Sequence, residues 1–167
     1  MSFEQFPDHR RIENVALRVL EDFKIDRPVV DVVKIANGLG VEVKEVHMPK
    51  GYEEVAGFYE KASKVIYVEE NDPPQRKLFS IAHELGHIFL GHQQATVLYR
   101  IIKEDQLYSG LEQEANSFAA HLLMPVHMLR YYMDRYDLGK SDYAKLATIF
   151  GVPASSMKYT LERLSDN

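Results

Sequence analysis

The sequence predicts an α+β fold in which a small three-stranded antiparallel sheet precedes a bundle of helices. A strictly alternating segment that starts near residue 41 and two short runs of β-branched and aromatic residues predict the strands. Most of the remaining chain carries apolar residues at the i, i+3, i+4 and i+7 spacing of amphipathic helices. The sheet is expected to pack against the helical bundle.

Two helices are predicted before the sheet. Residues 9–24 carry an apolar stripe at helical spacing, formed by Ile12, Val15, Ala16, Val19, Leu20 and Phe23. Pro28 then marks the first turn of a second helix, because the fixed φ of proline suits that position. This helix is expected to end near Leu39-Gly40, since glycine commonly follows the last helical residue.

The strands are predicted from alternation and from the turn residues between them. Val41 to Val46 alternates apolar and charged residues, as expected of a strand with one buried face. Gly57 to Tyr59 and Val65 to Val68 are the other two extended runs. Lys61 to Lys64 joins them as a hairpin loop, so these two strands are expected to pair in antiparallel fashion.

A His-Glu-x-x-His pattern, from His83 to His87, lies in the helix predicted after the sheet. Asp72 is the expected N-cap of this helix, and Pro73 falls in its first turn. Residues four apart share a helix face with Cβ atoms about 5–6 Å apart, so the two imidazoles can bind one Zn²⁺ at roughly 2.0–2.1 Å. Glu84 follows the first histidine and is placed to act as the general base that takes a proton from an attacking water.

A catalytic zinc site needs a third protein ligand and one open position. The next predicted helix begins with a capping-box pattern, Ser109 to Glu112, and continues with apolar residues at helical spacing until Pro125. Glu114 flanks that apolar face and can point at both imidazoles if the two helices share one core. The predicted metal ligands are therefore His83, His87 and Glu114, without the cysteines that are common in structural zinc sites.

Two motifs of the chain resemble those of the ImmA/IrrE family of metallopeptidases. Residues 79–92 read FSIAHELGHIFLGH, similar to the family's signature helix, and residues 114–125 read EANSFAAHLLMP, similar to its second motif. The resemblance covers roughly residues 28–125. It implies a zincin-like helical bundle, with His83 and His87 as zinc ligands, Glu84 as the general base and Glu114 as the third ligand.

The resemblance also implies a biological setting. It indicates a bacterial or phage-borne intracellular protein whose substrate is a transcriptional repressor or an antitoxin-like partner. From the residues and the resemblance together, we expect a zinc-dependent endopeptidase that cuts a specific intracellular protein.

Composition indicates one domain in the cytoplasm. With 167 residues, 46% hydrophobic and 27% charged, the chain is expected to form a single domain over residues 1–167, with a catalytic core at about 28–125 and a C-terminal helical extension at about 126–167. The lack of cysteine, of a visible signal peptide and of a membrane-length apolar run predicts a cytoplasmic protein without a membrane partner. The net charge of −5 argues against general nucleic-acid binding.

Several residues near the predicted site have roles that the sequence leaves open. An oxyanion donor is expected near the metal, and the available side chains are those of Tyr99, Tyr108, His92 and His121. Zinc-bound histidines usually donate their second ring nitrogen to another group. By residue type, this group can be Asn116, Asp105 or Glu112.

Two other functions remain open from the sequence. Residues 146–157 resemble a helix-turn-helix, which would make the protein a DNA-binding regulator, although few cations on its second helix favour packing or substrate docking. The protein can also be a zinc-stabilised interaction module that captures a partner without cutting it. Glu84 argues against this second alternative, since a purely structural metal needs no base. The sequence does not give the oligomeric state.

Overall fold

The computed structural model describes residues 8–49, 57–92 and 106–166, with side chains described from residue 110 in the last range. These residues form an α+β fold, as the sequence predicts. In chain order, the elements are α1 (His9–Asp22), α2 (Val32–Gly38), β1 (Glu42–Val46), β2 (Gly57–Glu60), β3 (Val65–Glu69), α3 (Pro74–Phe89), α4 (Gln106–Leu123), α5 (Val126–Arg135), a short 3-10 helix (Lys140–Asp142), α6 (Tyr143–Phe150) and α7 (Ala154–Arg163).

Aspartate side chains fix the starts of α1 and α2. The carboxylates of Asp8 and Asp31 accept hydrogen bonds from backbone N–H groups in the first turns, at 3.1 and 3.0 Å. Each contact satisfies a donor that has no partner within the helix. The second helix therefore begins at Val32, later than the start predicted at Pro28.

Helices α3 and α4 also begin at residues other than those predicted. α3 starts at Pro74, with Pro73 instead of Asp72 in the N-cap position. α4 starts at Gln106, so the Ser109–Glu112 pattern lies inside the helix and not at its beginning. Neither shift changes which residues share a helix face, so the predicted apolar stripes remain valid.

The sheet is mixed, which corrects the predicted all-antiparallel arrangement. Its order is β1-β3-β2, with β1 parallel to β3 and β2 antiparallel to β3. The predicted hairpin does join β2 to β3. β3 is the central strand. Its apolar residues Val65, Ile66 and Val68 are buried, as suits that position. The charged residues of β1, such as Glu42 and Glu45, are exposed and suit an edge.

Helices α3 and α4 pack closely at Gly86, which lies between the two histidines of the motif. A Cβ placed on Gly86 would lie 3.0 Å from the carbonyl oxygen of Ala115 and 3.2 Å from Cδ1 of Phe118. Phe89 and Phe118 stack beside this point, with ring centroids 5.6 Å apart. The glycine therefore lets the backbone of α4 approach the part of α3 that carries both histidines.

The hydrophobic core joins these two helices to the rest of the fold. α1 packs on α4, whereas α2, β2 and β3 contact α3. The core includes fully buried side chains from α1, α2, β3, α3 and α4, among them Ile12, Ile35, Ile66, Leu85, Phe118 and Leu122. In the described part of the chain, no helix is long and apolar enough to cross a membrane.

The C-terminal helices pack through the turn at Gly151. This glycine has φ +67°, a left-handed conformation that is strained for other residues. α7 is the second helix of the helix-turn-helix-like segment. Its cations Lys158 and Arg163 lie over the rings of Tyr143 and Tyr159. Buried side chains on both helices anchor the pair: Leu146, Phe150, Met157 and Leu161. These contacts support a packing role for the helix-turn-helix-like segment.

We expect Gly86→Ala to destabilise the fold, because the new methyl group meets backbone atoms of α4. Overpacking of this kind costs roughly 1–3 kcal/mol. Urea unfolding followed by circular dichroism measures the change in the free energy of unfolding. Gly110→Ala is the matched control, since a Cβ there meets no atom within 4 Å and alanine in a helix gains up to about 1 kcal/mol over glycine. Equal stability of the two variants would contradict the close packing at Gly86.

Candidate metal site

The two histidines of the α3 motif face the same point. The Nε2 atoms of His83 and His87 lie 3.2 Å apart, and the rings meet edge to face with centroids 4.8 Å apart. The i, i+4 spacing brings both rings to one face of the helix, as the sequence predicts. His87 is buried, and His83 is partly exposed.

Glu112 of α4 presents its carboxylate to both imidazoles. Its Oε2 atom lies 2.8 Å from Nε2 of His83, and its Oε1 atom lies 2.9 Å from Nε2 of His87. The three residues each offer one ligand atom, and these atoms lie within 4.8 Å of one another. Two imidazole nitrogens and one carboxylate therefore converge from two helices.

Asn116 sets the position of the ring proton on His83. The Oδ1 atom of Asn116 lies 2.8 Å from Nδ1 of His83. An amide oxygen only accepts hydrogen bonds, so Nδ1 of His83 carries the proton and donates. In a neutral ring, the Nε2 atom of His83 then has a lone pair that points toward Glu112.

His92 and Glu114 set the position of the ring proton on His87. Oε2 of Glu114 lies 2.7 Å from Nε2 of His92, and Nδ1 of His92 lies 3.0 Å from Nδ1 of His87. The carboxylate oxygen accepts, so Nε2 of His92 donates, and Nδ1 of a neutral His92 accepts from His87. The Nε2 atom of His87 is then also without a proton.

This set of donor atoms fits a divalent metal cation. Two imidazole lone pairs and a carboxylate point at one place, where they repel one another unless a positive charge lies between them. Burial lowers the pKa of His87, and the carboxylates of Glu112 and Glu84 oppose that shift. Burial thus favours the neutral ring, which is the form that binds metal. Two imidazoles and one carboxylate are also the protein donors of one class of catalytic zinc site.

Glu84 lies beside this cluster on α3. Its side chain is buried, with 1% exposure, and its charge acts to raise the pKa of His87. Among the described residues, the three converging ligand atoms come from His83, His87 and Glu112, and Glu84 is not one of them. Glu84 is therefore near the candidate metal position without being one of its three donors. This placement suits the role of a general base.

Glu114, the predicted third ligand, contacts His92 instead of the two motif histidines. The geometry favours Glu112 for that position, two residues earlier in the same helix. Side chains two residues apart on an α-helix point roughly 200° apart, so the two carboxylates cannot face the same point. From residue type alone, the sequence predicts Glu112 only as one of three possible hydrogen-bond partners of a zinc-bound histidine.

The residues that share a face of α4 carry the sequence signal that favours Glu112. Ala115 is buried against Gly86 at the contact between α3 and α4. Glu112 precedes Ala115 by three residues and Asn116 by four, so all three share one face of the helix. Both Glu112 and Asn116 contact His83, as that shared face requires.

Of the other candidate residues from the sequence, His121 has a described side chain. Burial lowers the pKa of His121, and the charged groups that act on it are Glu13 and His9 of α1, so its ring lies toward α1. Tyr99 and Asp105 fall outside the described residues, as does the side chain of Tyr108.

Comparison with known proteins assigns the family. The model of the IrrE N-terminal-like domain, which defines a peptidase family, matches residues 36–162. The chain belongs to this peptidase family. The matched range contains the sheet, both helices of the candidate site and most of the C-terminal helices, which confirms the resemblance seen in the two motifs.

Proteins from bacteria and a phage are similar to the chain. It is 31% identical over 124 residues to the radiation response metalloprotease IrrE of Deinococcus radiodurans, covering 73% of the chain and 37% of IrrE. It is 31% identical over 106 residues to the metallopeptidase ImmA of Bacillus subtilis, covering 64% of the chain and 61% of ImmA. The chain thus spans less than two thirds of either protein.

Immunity region protein 2 of Bacillus phage phi105 is matched over more of its length. It is 29% identical over 147 residues, which cover 86% of the chain and 84% of the phage protein. A solved structure, that of a Mycobacterium tuberculosis transcriptional regulator, superposes with a TM-score of 0.69 at 17% identity, over 89% of the chain and 45% of the regulator. At that identity the superposition establishes a shared fold.

We expect Glu112→Ala to lose bound zinc, because it removes one of three converging donors. Elemental analysis after dialysis against zinc-free buffer measures the zinc content per chain. Gln113→Ala is the matched control, since this neighbouring side chain is exposed and should leave zinc binding unchanged. Glu114→Ala separates the two candidate ligands. Full zinc content in Glu112→Ala with loss in Glu114→Ala would return the ligand role to Glu114.

Proposed function

We propose that the protein is a zinc-dependent endopeptidase that hydrolyses a peptide bond in a specific intracellular protein. The main support is the convergence of His83, His87 and Glu112, with both Nε2 lone pairs directed at one point. Membership of a peptidase family supports the same reaction. Zinc is the proposed metal because it suits a combination of imidazole and carboxylate donors.

Glu84 is the proposed general base. When bound, the zinc ion would polarise the scissile carbonyl and make the attacking water more acidic. Glu84 accepts a proton from that water and passes it to the leaving amine as the C–N bond breaks. Its position supports this role, because Glu84 follows His83 directly on α3 and its buried carboxylate is not one of the three converging ligands.

The exposed side of the cluster gives the direction from which a substrate enters. The side chains of His83 and Glu112 are 13% and 23% exposed, whereas that of His87 is 4% exposed. The site thus opens beside His83 and Glu112 and is closed behind His87. A polypeptide backbone would approach from the open side.

The proposed substrate is a transcriptional repressor or an antitoxin-like protein. The sequence motifs resemble those of a family for which such substrates are expected. One similar protein is named a radiation response metalloprotease, and another is named for the immunity region of a phage. A net charge of −5 suits contact with a protein better than direct contact with nucleic acid.

We expect Glu84→Gln to abolish hydrolysis while zinc remains bound, because glutamine keeps the shape of the side chain but cannot take a proton. A lysate of the source cells is incubated either with zinc-loaded wild-type protein or with the zinc-loaded variant. New protein N-termini in each sample are then labelled and identified. Cleavage products should be present with the wild type and absent with the variant, at equal zinc content.

The same pair of proteins tests cleavage against capture of a partner. If both produce the same set of N-termini, and the variant still supports partner-dependent activity in cells, the protein captures its partner without cutting it. Gln75→Ala, an exposed change in the first turn of α3, is the control for handling and should retain full cleavage.

A further inference from the structure

A row of three hydrogen-bonded side chains runs behind the candidate metal site. Glu114 contacts His92 at 2.7 Å, and His92 contacts the metal-facing His87 at 3.0 Å. The side chain of His92 is 5% exposed and that of Glu114 is 25% exposed. The row thus connects the buried ring of His87 to a carboxylate that reaches partial contact with solvent.

The end of α3 places His92 in this row. Gly91 has φ +72°, and its N–H donates to the carbonyl of Ile88 at 3.2 Å. The N–H of His92 donates to the carbonyl of His87 at 2.9 Å. These two bonds form the Schellman motif that commonly ends a helix. The motif folds the chain back, so that the His92 ring lies 5.2 Å from the His87 ring, measured between centroids.

The two metal-facing histidines therefore have different partners on their outer nitrogens. His83 donates to the amide of Asn116, a neutral acceptor on an exposed residue. His87 donates to a second imidazole, whose far nitrogen donates to a carboxylate. A carboxylate at the end of such a row increases the basicity of the ligand, and the hydrogen bond fixes the orientation of its ring.

We propose that His92 and Glu114 are positioning residues that hold His87 in the Nδ1–H tautomer with its Nε2 atom directed at the metal. This inference rests on the proposed metallopeptidase function. His92 acts through His87 by accepting its hydrogen bond, and Glu114 acts through His92 by fixing which of its nitrogens carries the proton. Neither residue contacts the reacting atoms.

A pair of variants at position 92 separates hydrogen bonding from packing. In His92→Asn, the Oδ1 atom takes nearly the place of the imidazole Nδ1 atom and can accept from His87. In His92→Leu, a methyl group of similar size occupies that place and cannot accept. The two variants share shape, so a difference between them reports on the hydrogen bond.

Two properties of these variants are measured: the affinity for zinc and the tautomer of His87. Competition with a zinc-chelating dye gives the dissociation constant for zinc alone, and two-bond ¹⁵N–¹H correlation spectra of the zinc-free protein give the tautomer of His87. We expect His92→Leu to weaken zinc binding by about 10–100-fold and to lose the Nδ1–H tautomer. His92→Asn should keep that tautomer and bind zinc more tightly than His92→Leu. Equal weakening in both variants, or no change in either, would overturn the proposal.

Glu114→Gln tests the outer end of the row at a partly exposed position, where the fold is expected to tolerate change. The glutamine oxygen can still accept from His92, so the tautomer of His87 should persist, while loss of the negative charge weakens zinc binding. Unchanged zinc affinity would exclude Glu114 from the proposal. A wild-type protein that binds no zinc would instead overturn the proposed function, and the tautomer in the zinc-free protein would still decide the role of His92.

Discussion

The close contact between α3 and α4 at Gly86 is the constraint on which the candidate site depends. Helix axes usually pack about 8–10 Å apart, and the side chains at the contact set the distance. Here the contact is a glycine against the backbone of Ala115. Zinc ligands must approach the metal to roughly 2 Å, so a change in helix separation would move Glu112 away from both imidazoles. The glycine between the histidines thus helps to set the distance from Glu112 to both imidazoles.

Hydrogen bonds on the outer side of the site determine what its inner side can bind. Asn116 and His92 each accept from a motif histidine, and each bond leaves a lone pair on the nitrogen that faces the centre. Asn116 follows Glu112 by one helical turn, so a single face of α4 supplies both a converging carboxylate and an outer acceptor. The same packing contact therefore sets the positions of the donors and, through Asn116, the position of the ring proton on His83.

The parts of the site that depend on local spacing could be predicted from the sequence, whereas the parts that depend on helix rotation could not. His83 and His87 are four residues apart, so their common face follows from helix geometry alone. The choice between Glu112 and Glu114 depends on how α4 is turned about its axis, which the contact at Ala115 decides. Strand order was missed for a similar reason. Alternation along β1 predicts its faces but not which strand becomes its neighbour.

The imidazole of His92 resolves an electrostatic conflict around His87. Glu84 and Glu112 already act on that ring with negative charge, and a third carboxylate in direct contact would add repulsion where burial makes charge costly. His92 lies between Glu114 and His87, so the third charge lies one ring farther out, where its side chain is partly exposed. The ring of His87 still gains a strong acceptor for its outer proton. An imidazole between the two groups can thus supply the orientation of a carboxylate partner without burying another negative charge beside the metal position.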